Sequence, residues 1–145
     1  MKSFFAHTVA IFLMGSVLSC SEESEPEISN ISLKSVTTCE VEILPDLLVS
    51  WCMDGTNIAS PNETITFVAS LYSVNDNPID SVFTWEVESG DMEVINVDSQ
   101  IDGEIARSIA TIQFNSGFIG EGVLLVEGEN ATGGGSARHE VNLEQ

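Results

Sequence analysis

The chain reads as an all-β protein, an antiparallel sandwich of about seven short strands. Three observations point there. Apolar residues recur with period two, as in Ile65, Phe67, Ala69 and Leu71 or Phe83, Trp85 and Val87. Turn-forming clusters punctuate these runs: Asp54-Gly55-Thr56-Asn57, Asn75-Asp76-Asn77-Pro78, Ser89-Gly90-Asp91 and Asp102-Gly103. No window carries a capped apolar stripe at helical spacing.

In chain order, Ile28 to Val36 alternates around Ile31 and Leu33 and suits a first strand. Val36–Leu44 and Leu47–Met53 read as a hairpin turning at Pro45-Asp46, a register that sets residue 39 opposite 52 and Trp51 opposite Glu40. Pro45 cannot take the positive φ that a two-residue hairpin turn wants at its first position, so a longer, bulged loop is the alternative. Thr64–Leu71 is a half-buried strand with Ile65, Phe67, Ala69 and Leu71 inward. Phe83–Val87 alternates again, and Met92–Val97 is a short strand. Residues 106 to 114 put Ala110, Ile112 and Phe114 on one face, while Val123–Val126 suits a strand buried on both sides or one that swaps its exposed face. Asn130 to Gly135 is a flexible hairpin loop, and Ala137, His139, Val141 and Leu143 mark a closing edge strand.

Residues 62–143 resemble a polycystic-kidney-disease-type (PKD-like), Ig-like domain. The resemblance is carried by Thr64-Ile-Thr-Phe, Asn75-Asp-Asn-Pro-Ile-Asp, Phe83-Thr-Trp-Glu-Val, Ile112-Gln-Phe and Gly122-Val-Leu-Leu-Val-Glu-Gly-Glu-Asn130 with Gly133 following. It implies a sandwich with Trp85 at the centre of the core and Asn130 opening the final hairpin; the alternation adds Phe83 and Phe67 to that core. Val87 to Asp91 departs from the family's aromatic-Gly-Asp-Gly turn. Such domains are non-catalytic modules of adhesins and surface assemblies.

Ahead of the sandwich, residues 1–19 have the anatomy of a secretory signal: Lys2, an apolar run from Val9 to Leu18, then Ser19. That run is shorter than the roughly 20 residues a membrane span needs. Val17-Leu18-Ser19-Cys20 resembles a bacterial lipoprotein box. The resemblance implies that Cys20 becomes the mature N-terminus and carries acyl chains such as palmitate, each buried methylene contributing about 0.8 kcal/mol to anchoring. Residues 20–30 form an acidic tether, and the Ser21 to Glu25 run resembles a surface-export signal of outer-membrane lipoproteins. The domain proper is then 31–145.

Beyond Cys20 the chain holds three basic residues, Lys34, Arg107 and Arg138, against 23 acidic ones, a formal charge of −20. Such a surface repels phosphates, which excludes nucleic acid as an electrostatic partner. With Cys20 lipidated, Cys39 and Cys52 remain as an even pair in an oxidising compartment and are expected to form a disulfide.

Catalysis finds little support. His139 is the only histidine after the leader and sits in an alternating strand pattern without a recognisable nucleophile. Calcium is a candidate that the spacing does not predict: Asp76 and Asp80 sit in a cadherin-like Asn-Asp-Asn-Pro stretch whose upstream acid is replaced by Ser73. Trp51 is the residue available as a glycan platform, although a packed indole is its commoner fate. The expectation is a non-enzymatic, lipid-anchored accessory or adhesion module at the outer membrane, surface-exposed, with a protein or glycan partner and no cofactor. The alternatives are a glycan-binding accessory protein or a calcium-dependent adhesion module.

Overall fold

The structure, a computed structural model, describes residues 32–145. The signal sequence, Cys20 and the tether to Asn30 lie outside the described residues. Eight strands form two four-stranded sheets: β1 (Val49–Asp54), β3 (Thr64–Ser73), β6 (Ile105–Phe114) and β5 (Met92–Asp102) in the order β1-β3-β6-β5, and β2 (Ile58–Ala59), β8 (Gly134–Leu143), β7 (Glu121–Glu129) and β4 (Val82–Ser89) in the order β2-β8-β7-β4. All pairings are antiparallel except β2 with β8. A single 3₁₀ turn, Pro78–Asp80, joins β3 to β4. The sequence pattern misses β2, because two residues are too few to show a period.

Between the sheets the period-two residues interlock as expected. Ile65 and Phe67 of β3, Ala110, Ile112 and Phe114 of β6, and Leu124 and Val141 of β7 and β8 are fully buried in one cluster. Phe118, from the loop before β7, closes that end with its ring edge-on to Phe114, centroids 4.9 Å apart. The β5–β6 connection is the two-residue loop Gly103–Glu104 between the paired Asp102 and Ile105. Gly103 has φ +61° there, the backbone a tight hairpin requires at its first central position.

Several expectations change. The hairpin 36–44/47–53 does not form a ladder. The chain does turn, with Leu47 N–H donating to the Leu44 carbonyl at 3.1 Å, but Pro45 restricts it to an unprimed turn that splays the flanking segments. β1 pairs with β3 instead, setting Trp51 opposite Leu71 rather than Glu40. The expected first strand is not a strand within 32–36, and residues 28–31 lie outside the described residues. This segment nonetheless borders β3 beyond the end of β1: Ser32 N–H donates to Thr64 and Val36 N–H to Thr66, both at 3.0 Å. Ser35 Oγ accepts from Thr66 N–H, and Thr66 Oγ1 donates to the Val36 carbonyl.

Segment 32–48 thus caps the outer side of the first sheet. Cys39, Val68 and Ile109 form a second small core there, with Val36 and Cys52 packed on it. β3 is buried at every position, not half-buried as its alternation suggested. Conversely, β7 alternates throughout, neither buried on both sides nor swapping its exposed face: Gly122, Leu124, Val126 and Gly128 face in, Val123 and Leu125 partly out. β5 runs on to Asp102, 11 residues in all, past the expected end at Val97. β8 is an edge strand only until its last two residues, where β2 adds to it.

Candidate functional site

The two remaining cysteines are joined as expected. Cys39–Cys52 is a disulfide with Cα atoms 6.2 Å apart, and it pins the cap to β1. A second fastening lies at the cap's beginning. Lys34 Nζ bonds Glu63 at 2.9 Å and Glu144 at 2.7 Å. Glu63 also accepts from the Ser32 hydroxyl and from Ser60 N–H. Burial opposes the charge on Lys34, but the hydrogen bonds to Glu144 and Glu63 outweigh it and raise the ammonium above its ordinary value. Burial likewise opposes ionised Glu63, and its bonds to Ser32, Ser60 and Lys34 outweigh that and hold the carboxyl below its ordinary value. The sequence showed a lone Lys among acids here; which acids would meet it depends on contacts across 29 and 110 positions of chain.

The Trp residues hold the opposite half of the sandwich. Trp85 faces inward and its indole N–H donates to the fully buried Ser108 hydroxyl at 3.0 Å. It is half-buried rather than central, because β4 is the outermost strand of its sheet. Phe83 is likewise half-buried and stacks on Trp51 with centroids 5.9 Å apart, while Phe67 is fully enclosed. Trp51 is not a free platform. Its ring fills the space beneath Gly128 and Gly135, where any Cβ would collide with it, and its buried N–H has no hydrogen-bond partner.

On the other side of those glycines is a shallow open depression of about 470 Å³ on the outer face of the second sheet, flanked by Val82, Thr84, Glu127, Glu129 and Ser136. It offers hydroxyls and carboxylates but no aromatic face.

At the end of the sandwich carrying Ser73, Asn130 organises the loops. Its Oδ1 accepts from the Ser73 hydroxyl at 3.0 Å and from the N–H groups of Thr132 and Gly133 at 3.2 Å. The loop expected to be flexible is therefore tied down. Asp76 Oδ2 accepts from Thr132 N–H at 2.7 Å, and Asn77 caps the 3₁₀ turn that contains Asp80. The Asn-Asp-Asn-Pro stretch is thus a capped turn. Among the described residues no three His, Cys, Asp or Glu side chains gather to hold a metal ion. His139 lies edge-on to Phe67, its Nε2 2.9 Å from the Thr56 carbonyl, to which it donates.

Each Lys and Arg among the described residues is paired, Arg107 with Asp102 and Arg138 in a two-bond contact with Glu88. The remaining carboxylates leave a strongly negative surface.

No protein-family model matches the chain, and no curated protein does. Among solved structures it is similar to the titin M3 domain, with 12% identity and a TM-score of 0.38 over 61% of this chain and 86% of that one. It is also similar to an endo-fucoidan hydrolase from glycoside hydrolase family 107, with 12% identity and a TM-score of 0.41 over 72% of this chain and 14% of that one. The class the fold defines is an all-β sandwich of two mainly antiparallel sheets.

Proposed function

We propose that this chain is a bacterial surface lipoprotein whose PKD-like sandwich serves as a non-catalytic interaction module at the outer membrane. The observation that carries the reading is Val17-Leu18-Ser19-Cys20 at the end of a short apolar leader. On this reading Cys20 bears the acyl chains, residues 20–30 form the tether, and the sandwich presents its surface to a partner. The Cys39–Cys52 disulfide supports an oxidising compartment. Ordering of the Asp76 and Asn130 loops by their own hydrogen bonds supports a rigid module.

The test is the mass of the protein purified from expressing bacteria. A mature N-terminus at Cys20 carrying two or three acyl chains is expected, with Cys20→Ala moving the protein from the membrane fraction to the soluble one. An unmodified Cys20 thiol in a protein recovered from cytosol refutes the reading.

A further inference from the structure

β5 is the outermost strand of its sheet, and β4 is the outermost strand of the other. The two strands contact one another, so both open edges lie on one side of the sandwich. Three features set β5 apart there.

Met92 and Val94 join the core, but the inward-facing residues beyond them are not covered. Val97 pairs with Ala110 and Ile101 with Ala106, both enclosed core positions, so Val97 and Ile101 share the inner face. They are nonetheless 42% and 51% exposed. Trp85 bonds Ser108, whose partner across the ladder is Ser99, midway between Val97 and Ile101. A half-buried indole and two half-exposed aliphatic side chains therefore line the seam.

The backbone edge is also long and regular. A bulge interrupts the pairing at Val94/Asn96, but from Asn96 to Asp102 the register with β6 is continuous. That stretch, Asn-Val-Asp-Ser-Gln-Ile-Asp, has no Pro and no Lys, and its only edge-blunting charges are Asp98 and Asp102. Finally, the outward row carries Glu93, Asp98 and Asp102, on the opposite face from Val97 and Ile101. Only Asp102 meets a cation, Arg107, at 3.3 Å.

We infer that β5 is a docking edge that takes an extended, cationic polypeptide segment as a fifth strand of its sheet. Alternation matches the two rows: apolar side chains of the incoming strand would cover Val97, Ile101 and Trp85, while Lys or Arg at the intervening positions would meet Glu93 and Asp98. Main-chain hydrogen bonds supply affinity and the alternate side chains select the partner. A second copy of this chain fits poorly, since the formal charge of −19 sets like charges against each other. The inference rests on the interaction-module reading and names its surface.

The experiment adds a synthetic nine-residue peptide of alternating lysine and valine to the full chain in detergent micelles, read by calorimetry and by amide hydrogen exchange. Saturable binding that slows exchange along β5 is expected. Methylating alternate backbone nitrogens of the peptide should weaken binding by at least about tenfold, because it removes donors while keeping charge and leaves the protein untouched. Val97→Lys should abolish binding, with circular dichroism to confirm folding. Glu93→Gln with Asp98→Asn should flatten its salt dependence. No binding, or binding indifferent to backbone methylation and to Val97→Lys, overturns the inference. So does a self-association, seen by sedimentation, that Val97→Lys removes. Peptide failure with Cys20 acylated refutes the edge alone; peptide binding with an unmodified Cys20 refutes the lipoprotein reading alone.

Discussion

Replacing Cys39 and Cys52 together by alanine removes the staple between the cap and β1 without touching any strand of the sandwich except β1. The half-cystines are 13 positions apart, and closing a loop of that size in the unfolded chain stabilises the folded state by about 3 kcal/mol. Taking an unfolding entropy of about 0.23 kcal/mol/K for roughly 110 ordered residues, this becomes a fall of about 13 °C in melting temperature. Scanning calorimetry of the oxidised parent and the double variant measures it.

Hydrogen exchange locates the loss. The cap is held by few backbone bonds, so Ser32 and Val36 amides, which donate to Thr64 and Thr66, should exchange faster in the variant. Amides within the β3–β6 ladder, which open only with the whole domain, should lose protection by no more than the global loss of about 3 kcal/mol, roughly a hundredfold at 25 °C. A shift below about 4 °C with unchanged protection at Ser32 and Val36 would refute the reasoning, since the cap would then be held by packing and the Lys34 cluster alone.

Gly135→Ala should lower stability by about 1–3 kcal/mol, because a Cβ there lies 2.7 Å from Trp51 Cγ; urea melts show it, and Trp51→Leu in the same chain should recover part of the loss. Trp85→Phe should cost about 1–3 kcal/mol by stranding the buried Ser108 hydroxyl, and Ser108→Ala added to it should be cheaper than the two separate effects combined. The Lys34 cluster sets a pH profile. Glu63 has a lowered carboxyl, so its contribution is present above the unfolded value near about 4.3 and is lost as pH falls through the lower folded value. Lys34 is raised, so its contribution is present below about 10.4 and is lost as pH rises through the higher folded value. Melting temperature against pH should therefore show an acid limb from this cluster that Glu63→Gln makes shallower, the remainder coming from Glu144, whose bonds to Lys34 and Ser60 also lower its carboxyl.

The strands with period-two alternation were legible, because one buried face writes itself into the sequence. Phe67, Ala110, Ile112 and Phe114 occupy the inward positions their spacing assigned. What alternation cannot convey is a second cover. Thr66, Val68 and Ser70 look like an exposed face, and they are buried only because a segment some 30 positions earlier folds over them. Pro45, with its fixed φ, disfavours a two-residue hairpin turn, and β1 pairs with β3 instead. Trp85 shows the converse: an inward-facing residue on an outermost strand keeps one flank open, and sheet order is not written in local pattern. The empty side of Gly128 and Gly135 was similarly silent, since only the fold brings Trp51 beneath them.

The two ends of β3 give the domain a direction. Thr64 lies beside Ser32, where the cap begins and where Lys34 meets Glu63 and Glu144. Ser73, nine positions along, lies beside Asn130 and the Asp76 turn. At about 3.3 Å per residue the two are roughly 30 Å apart. The chain therefore enters the domain at the Lys34 end, and the Asn130 loops lie at the opposite end. β5 spans the same interval, from Met92 opposite Phe114 to Asp102 opposite Ile105, the residue that Tyr72 also faces. Its free edge thus runs along the side of the sandwich from the Lys34 end to the far one. A strand added there would lie along the domain rather than across its tip.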